Sequence, residues 1–200
     1  IETGTGVTAI SGQGQLVNAA TAGRQLVVQV RDSEGNPVGG TEVTWFSSGV
    51  GIGGVPVTVT SQQNITDALG RAVATFSTSP LLSAELAAAS VTANTLYGSA
   101  TFYITIFPII DPFTSQPIPP PAVTFSFGSQ TGVIEGQAGQ TITNAVAVQV
   151  LRQAGVSFGS GVPNVGLTVM TNADPALGPT AACAGGTVLT DAQGVAVCNL

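Results

Sequence analysis

The sequence predicts an all-β chain of two sandwich domains in series, and three observations carry that expectation. Side chains alternate at a period of two in run after run: Leu26, Val28 and Val30 fall on one face of a strand, Val27, Gln29 and Arg31 on the other. Clusters of Gly, Asn, Asp and Pro separate these runs and supply turn chemistry. Landmarks of the first half then recur in the same order in the second, the mark of a tandem repeat. In a chain of 200 residues this makes two domains of about 100 residues each. Boundaries are expected at 1–107 for the first sandwich, 108–122 for a proline-rich linker and 123–200 for the second sandwich.

Taken in order, residues 1–25 contain an entering strand around Val7 and Ala9. The glycine-punctuated Ser11-Gly12-Gln13-Gly14-Gln15 follows, where a bend or bulge lets one strand change sheets. Leu26 to Phe46 is expected to form a strand-turn-strand hairpin, with Asp32 to Gly40 as the turn and Val43 and Trp45 resuming the alternation. Ser47 to Gly54 is a loop, and Val55, Val57 and Val59 belong to an edge strand because Pro56 cannot join a ladder. Thr66 to Ala72 is a tight turn, with Gly70 in the left-handed position and Asp67 capping through its carboxylate. Ala72, Ala74 and Phe76 then face the core. Residues 81–89 have helix-forming composition and are compatible with a short helical turn, although Ala89, Val91 and Ala93 stay in strand register. The last strand of the unit turns Ala100, Phe102, Ile104 and Ile106 inward and Thr101, Tyr103 and Thr105 outward.

Six prolines from Pro108 to Pro121 favour an extended polyproline II spacer of about 3.1 Å per residue. A proline-rich ligand for an SH3-type partner is the sharper and less favoured alternative. Beyond it, Val146, Val148 and Val150 match Leu26, Val28 and Val30; Gly161 to Val169 echoes Gly35 to Val43; and Thr190 to Ala196 echoes Thr66 to Ala72. This alignment puts Cys198 at the place of Ala74, facing inward. Cys183 and Cys198 have no metal or C-x-x-C spacing and read as a disulfide rather than two free buried thiols, which favours an oxidising compartment. A closed loop of about 15 residues contributes roughly 3 kcal/mol in the chain-entropy model. Leu200 corresponds to Phe76, so the second unit has no counterpart of residues 77–107; the expectation is a fragment of a longer protein, unless those strands come from another molecule.

Composition narrows the function. Only 7% of residues are charged, and lysine and histidine are absent. Arg24, Arg31, Arg71 and Arg152 are the only cations, and the net charge is −6. Without a basic patch, nucleic acid is not expected as a partner. No run approaches the ~18 apolar residues of a membrane-spanning helix, so membrane insertion by this segment is not expected. Catalysis would need a carboxylate pair or an unusual serine, yet Asp32, Glu34, Asp67 and Asp191 sit in or beside turns, so no catalytic and no cofactor-binding residue is assigned. Asp32, Glu34 and Asn36 space three oxygen ligands suited to calcium but lack the downstream bidentate glutamate of an EF-hand loop, and Asp111 is a weaker candidate; no metal is assigned. Asn64-Ile65-Thr66 is a glycosylation sequon. Trp45, in phase with Val43, is read as core rather than as a sugar platform.

Asp32 to Gly40, Val43-Thr44-Trp45, Thr66 to Ala72 and Val91-Thr92-Ala93 resemble the pattern of the bacterial Ig-like group 1 domain, the module repeated in invasin and intimin. The likeness covers nearly all of the first unit; in the second, Arg152 to Ser160 replaces the start of the turn motif with a longer Gln/Gly/Ser insertion. The resemblance implies tandem immunoglobulin-like β-sandwiches at an extracellular, cell-surface or periplasmic location. It implies a non-enzymatic spacer or cell-adhesion role toward a surface protein or glycan not named by the sequence, and it supplies no catalytic residues and no cofactor. The alternative is an accessory carbohydrate-binding module of a secreted enzyme, for which Tyr97 and Tyr103 are the candidate platform residues.

Overall fold

The computed structural model describes residues 6–51, 54–128, 134–153, 159–169 and 181–200. They divide into two compact units, Ile1–Ile118 and Pro119–Leu200, within which every described element is a strand or a loop. In the first unit the strands are β1 (Gly6–Ser11), β2 (Gln15–Asn18), β3 (Leu26–Arg31), β4 (Thr44–Gly49), β5 (Thr58–Gln63), β6 (Arg71–Ser77), β7 (Ala87–Thr95) and β8 (Gly98–Phe107). They form two four-stranded sheets, ordered β1-β3-β6-β5 and β2-β8-β7-β4. Reading β1, β3, β6 and β5 as A, B, E and D, and β4, β7 and β8 as C, F and G, gives the strand order of the immunoglobulin fold.

Glycine makes the change of sheet between β1 and β2. Gly12 and Gly14 have φ of 94° and 68°, and a Cβ on Gly12 would lie 2.4 Å from the Gln25 carbonyl oxygen. β1 therefore pairs antiparallel with β3, whereas β2 pairs parallel with β8 in the opposite sheet. Between the sheets lies a core in which Leu26, Val28, Val91, Phe102, Ile104 and Ile106 are at most 1% exposed. Small residues at Ala72, Ala74, Ala89 and Ala93, each fully buried, let the sheets approach these larger side chains. Each buried Val, Leu, Ile or Phe contributes roughly 1.5–3 kcal/mol, so the alternation read from sequence is the main source of stability.

Several expectations are corrected. β3 and β4 do not form a hairpin: β3 pairs with β1 and β6, β4 with β7, and the 32–43 connection crosses between sheets. The turn closes on β3 itself, with the Val38 amide donating to the Val30 carbonyl at 3.0 Å, which leaves the chain aimed at the other sheet. No helix forms at 81–89; β7 begins at Ala87 because Ala87, Ala89, Val91 and Ala93 gain more from facing the core than alanine gains from helix propensity. Thr105, placed outward by alternation, is 3% exposed beside Leu16 of β2. Nor is the start of the proline-rich segment an extended spacer. Residues 109–118 double back, with the Ile118 amide on the Ile109 carbonyl at 3.0 Å and the Asp111 amide on the Gln116 carbonyl at 2.8 Å. The Asp111 carboxylate drives this turn by accepting from the Phe113 amide at 2.8 Å, while Pro112 and Pro117 occupy positions that need no donor.

The second unit contains β9 (Ala122–Phe127), β10 (Val146–Leu151), β11 (Gly166–Leu167), β12 (Val188–Leu189) and β13 (Val195–Cys198), arranged as a β13-β10-β9 sheet and a β11–β12 ribbon. Its bonds repeat those of the first unit. The Thr66 hydroxyl donates to the Val38 carbonyl at 2.7 Å and accepts from the Thr41 amide at 2.9 Å; the Thr190 hydroxyl donates to Val162 at 2.7 Å and accepts from Val165 at 2.9 Å. These pairs equate Val162 with Val38 and Gly161 with Pro37, two residues away from the sequence alignment. Matching Pro163 to Pro37 in sequence gives a register two residues away from the one set by the Thr190 hydrogen bonds. The middle of the expected 152–160 insertion, residues 154–158, lies outside the described residues; its ends meet through the Arg152 amide and the Ser160 carbonyl at 2.9 Å.

Candidate functional site

The acidic residues flagged by sequence are occupied in turns. Asp32 Oδ1 accepts from the amides of Glu34 and Asn36, both at 2.9 Å, and Asn36 Nδ2 spans Asp32 Oδ2 at 3.4 Å and Glu34 Oε2 at 3.3 Å. The Asn36 amide is the main cause holding the Asp32 carboxyl below its ordinary pKa, with the Glu34 amide helping. Asp67 Oδ1 accepts from Leu69 and Arg71 at 2.8 and 2.9 Å, and Asp191 Oδ1 from Gln193 and Val195, both at 2.9 Å. One carboxylate geometry thus serves both units. Among the described residues no group of three or more His, Cys, Asp or Glu is placed to hold a metal ion.

The sequon splits in its accessibility. Asn64 is exposed, but the Thr66 hydroxyl is committed to the buried bonds above. Trp45 is half-buried, its ring centroid 6.1 Å from that of Phe102, and its indole N–H is buried with no acceptor. It belongs to the core edge. The aromatic that sequence reasoning passed over is its neighbour Phe46, 55% exposed on the outer face of the β2-β8-β7-β4 sheet. Registers Phe46↔Thr92, Thr92↔Thr101 and Ser90↔Tyr103 put Tyr103 on that same outer face, whereas Tyr97 sits in the β7–β8 turn. A shallow depression of about 290 Å³ at one end of this sheet is lined by Glu42, Thr44, Asn94, Thr95 and Leu96.

Two further arrangements were not read from sequence. The Gln13 side chain acts as a rung of the sheet: Nε2 donates to the Thr101 carbonyl and Oε1 accepts from the Tyr103 amide, both at 2.8 Å. Together with β2 and the Ala19 amide on the Phe107 carbonyl at 2.9 Å, it extends the parallel junction along most of β8. No periodicity announces such a bond. The second is β9, whose Val123, Phe125 and Phe127 are 45%, 61% and 50% exposed; their alternation with Thr124 and Ser126 was the available signal.

Cys183 and Cys198 are joined, with Cα atoms 5.2 Å apart. Cys198 stands opposite Val146 as Ala74 stands opposite Leu26, and it is fully buried. Among the described residues no helix is long and apolar enough to cross a membrane.

No protein-family model matches the sequence, and no curated protein matches it. Among solved structures, a trigonal form of titin M4 is 11% identical with a TM-score of 0.29, over 52% of this chain and 95% of that one. A chimeric titin Z1Z2 carrying a KLER peptide from decorin is 16% identical with a TM-score of 0.29, over 73% of this chain and 89% of that one. FdeC, an Escherichia coli adhesin, is 15% identical with a TM-score of 0.33, over 96% of this chain and 53% of that one, so this chain spans about half the length of that structure.

Proposed function

We propose that this chain is a non-enzymatic, force-bearing stretch of immunoglobulin-like repeats from a bacterial surface or secreted protein, of the invasin and intimin kind, serving as a spacer and adhesion module. The observation that carries this is the parallel β2–β8 junction. β2 lies near the amino-terminal end of the first unit and β8 ends near its carboxyl-terminal end, with both strands running the same way. A pull on the two ends therefore drags the strands past each other, and every rung from Gln13 to Ala19 is loaded together. Peeling would break them one at a time. An extracellular, cell-surface or periplasmic setting accords with the Cys183–Cys198 bond. The partner is a surface protein or a glycan.

Stretching residues 1–200 between bead and surface tests the spacer role, because rupture under force reads the unfolding barrier. The first unit is expected to rupture in one step, and Val17→Pro, which strips a ladder donor from β2, is expected to lower the rupture force. An unchanged force would remove the support for a load-bearing role. The second reading, an accessory carbohydrate-binding module, draws on Phe46 and Tyr103 sharing one outer face. A glycan array with no signal above that of Phe46→Ser would end it.

A further inference from the structure

The chain leaves the first sandwich through Phe107, the last residue of β8, and Pro108, which is buried. Beyond this anchor the side chains face water: Ile109 and Ile110 are about half exposed and Phe113 is 83% exposed. The doubled-back stretch 109–118 is a hairpin held by its own bonds. Ile110 and Pro117 stand opposite each other as an antiparallel bridge, flanked by the Ile118–Ile109 and Asp111–Gln116 bonds. At the tip, the Ser115 amide closes on the Asp111 carbonyl at 2.8 Å, and Asp111 Oδ1 accepts from the amides of Phe113 and, at 3.4 Å, Thr114. Among the described residues, the partners of these groups all lie within 109–118, and none of its side chains joins the core.

One pull loads this hairpin and the β2–β8 junction in opposite ways. Parallel strands slide past each other, so the rungs of the junction share the force. The arms of the hairpin are antiparallel, and tension that enters at Ile109 and leaves at Ile118 falls on the bond joining those two residues before it reaches the next. The hairpin therefore unzips one rung at a time. A lone two-stranded hairpin is marginally stable in water, and Ser115 at its tip has φ of 57°, a conformation that side-chain-bearing residues seldom hold. Closing again is fast, since hairpins form in about 1–10 μs. Opening replaces a Cα–Cα gap of about 5.5 Å with the extended chain from 109 to 118, a gain of roughly 25 Å at about 3.4 Å per residue.

We propose that residues 109–118 are a reversible extension element at the carboxyl-terminal end of the first unit, a hairpin that unzips and closes again under loads too small to shear the β2–β8 junction. Its use as such rests on the spacer role proposed above.

The test holds the oxidised 200-residue protein by its two ends in magnetic tweezers at constant force. Reversible steps of roughly 25 Å are expected below the force that ruptures the first unit. Asp111→Ala, which removes the acceptor of the Phe113 amide, should move the midpoint of this stepping to lower force and leave the rupture force of the first unit unchanged. Ile110→Cys with Pro117→Cys occupies a bridge without direct hydrogen bonds, where Cα atoms about 4.5 Å apart permit a disulfide. Once recovery of the cross-linked peptide shows that this bond has formed, the steps should vanish. Absence of a reversible step below the rupture force overturns the proposal. A step that survives the added disulfide overturns it as well, because the extension then comes from elsewhere. The two readings fail separately: a rupture force unmoved by Val17→Pro removes the load-bearing role and leaves the stepping intact, whereas missing steps with a lowered rupture force remove the hairpin's role alone.

Discussion

Replacing Gln13 with alanine should destabilise the first unit by about 2–3 kcal/mol, although Gln13 contributes nothing to the apolar core. Its side chain makes three hydrogen bonds, to the Thr101 carbonyl, the Tyr103 amide and, at 3.1 Å, the Gly14 amide. Each is worth about 1 kcal/mol net; the local one to Gly14 is readily replaced by water, whereas the Thr101 and Tyr103 groups are left without a partner in a half-buried strand. A loss of 2 kcal/mol corresponds to a fall in Tm of roughly 10 °C for a domain of this size. Urea unfolding followed by tryptophan fluorescence is the assay, since Trp45 is the only tryptophan and lies in the first unit. The midpoint should fall with an unchanged slope. Gln13→Glu provides the control: an ionised oxygen facing the Thr101 carbonyl is repelled at neutral pH, and the deficit shrinks below about pH 4, where a protonated carboxyl can donate. A Gln13→Ala protein within about 0.5 kcal/mol of wild type would refute the idea that this side chain works as a rung of the sheet.

Other outcomes follow from the same structure. A Cβ on Gly23 would lie 2.0 Å from the Phe76 ring, so Gly23→Ala should cost about 1–3 kcal/mol in urea unfolding, and Gly23→Ala with Phe76→Leu should recover part of it. Trp45→Phe removes a buried donor with no acceptor and should leave the melting temperature by circular dichroism equal to or above that of wild type. Reduction of Cys183–Cys198, whose residues are 15 apart, should lower the stability of the second unit by roughly 3 kcal/mol, measured as the shift in its urea midpoint by circular dichroism between oxidised and reduced protein. Asp32 and Asp111 have carboxyl pKa values lowered mainly by the amides of Asn36 and Phe113. Their stabilisation is therefore present above the unfolded value near 4 and is lost as pH falls through the folded value, and Asp32→Asn should flatten the acid limb of a stability–pH curve below about pH 4.

What the sequence disclosed was what a single strand or turn decides for itself. Alternation identified the buried faces of β3, β6 and β8, and the Thr66–Ala72 and Thr190–Ala196 turns followed from Asp and Gly at set offsets. Pairing is less legible, because a period of two says which face is buried and not which strand lies alongside; a short connection points β3 to β4, whereas its neighbours are β1 and β6. Matching Pro163 to Pro37 slid the second turn by two residues, since a proline ring is conspicuous in sequence while the bond from Thr190 to Val162 is not. Of the candidate surfaces, Tyr103 is legible from alternation on β8, whereas alternation alone does not say that Phe46 and the β9 aromatics stay uncovered, because that depends on which strands pack against them. The Gln13 rungs depend on a neighbour about 90 residues away, which no local pattern encodes.

The bond between Cys183 and Cys198 also bears on length. An unfolded chain extends by roughly 3.3–3.6 Å per residue, but the bond holds the two Cα atoms 5.2 Å apart across 15 positions. An oxidised second unit, once unfolded under tension, thus reaches about 45 Å less far than a reduced one, and the redox state of a single pair sets how much slack the tether can release.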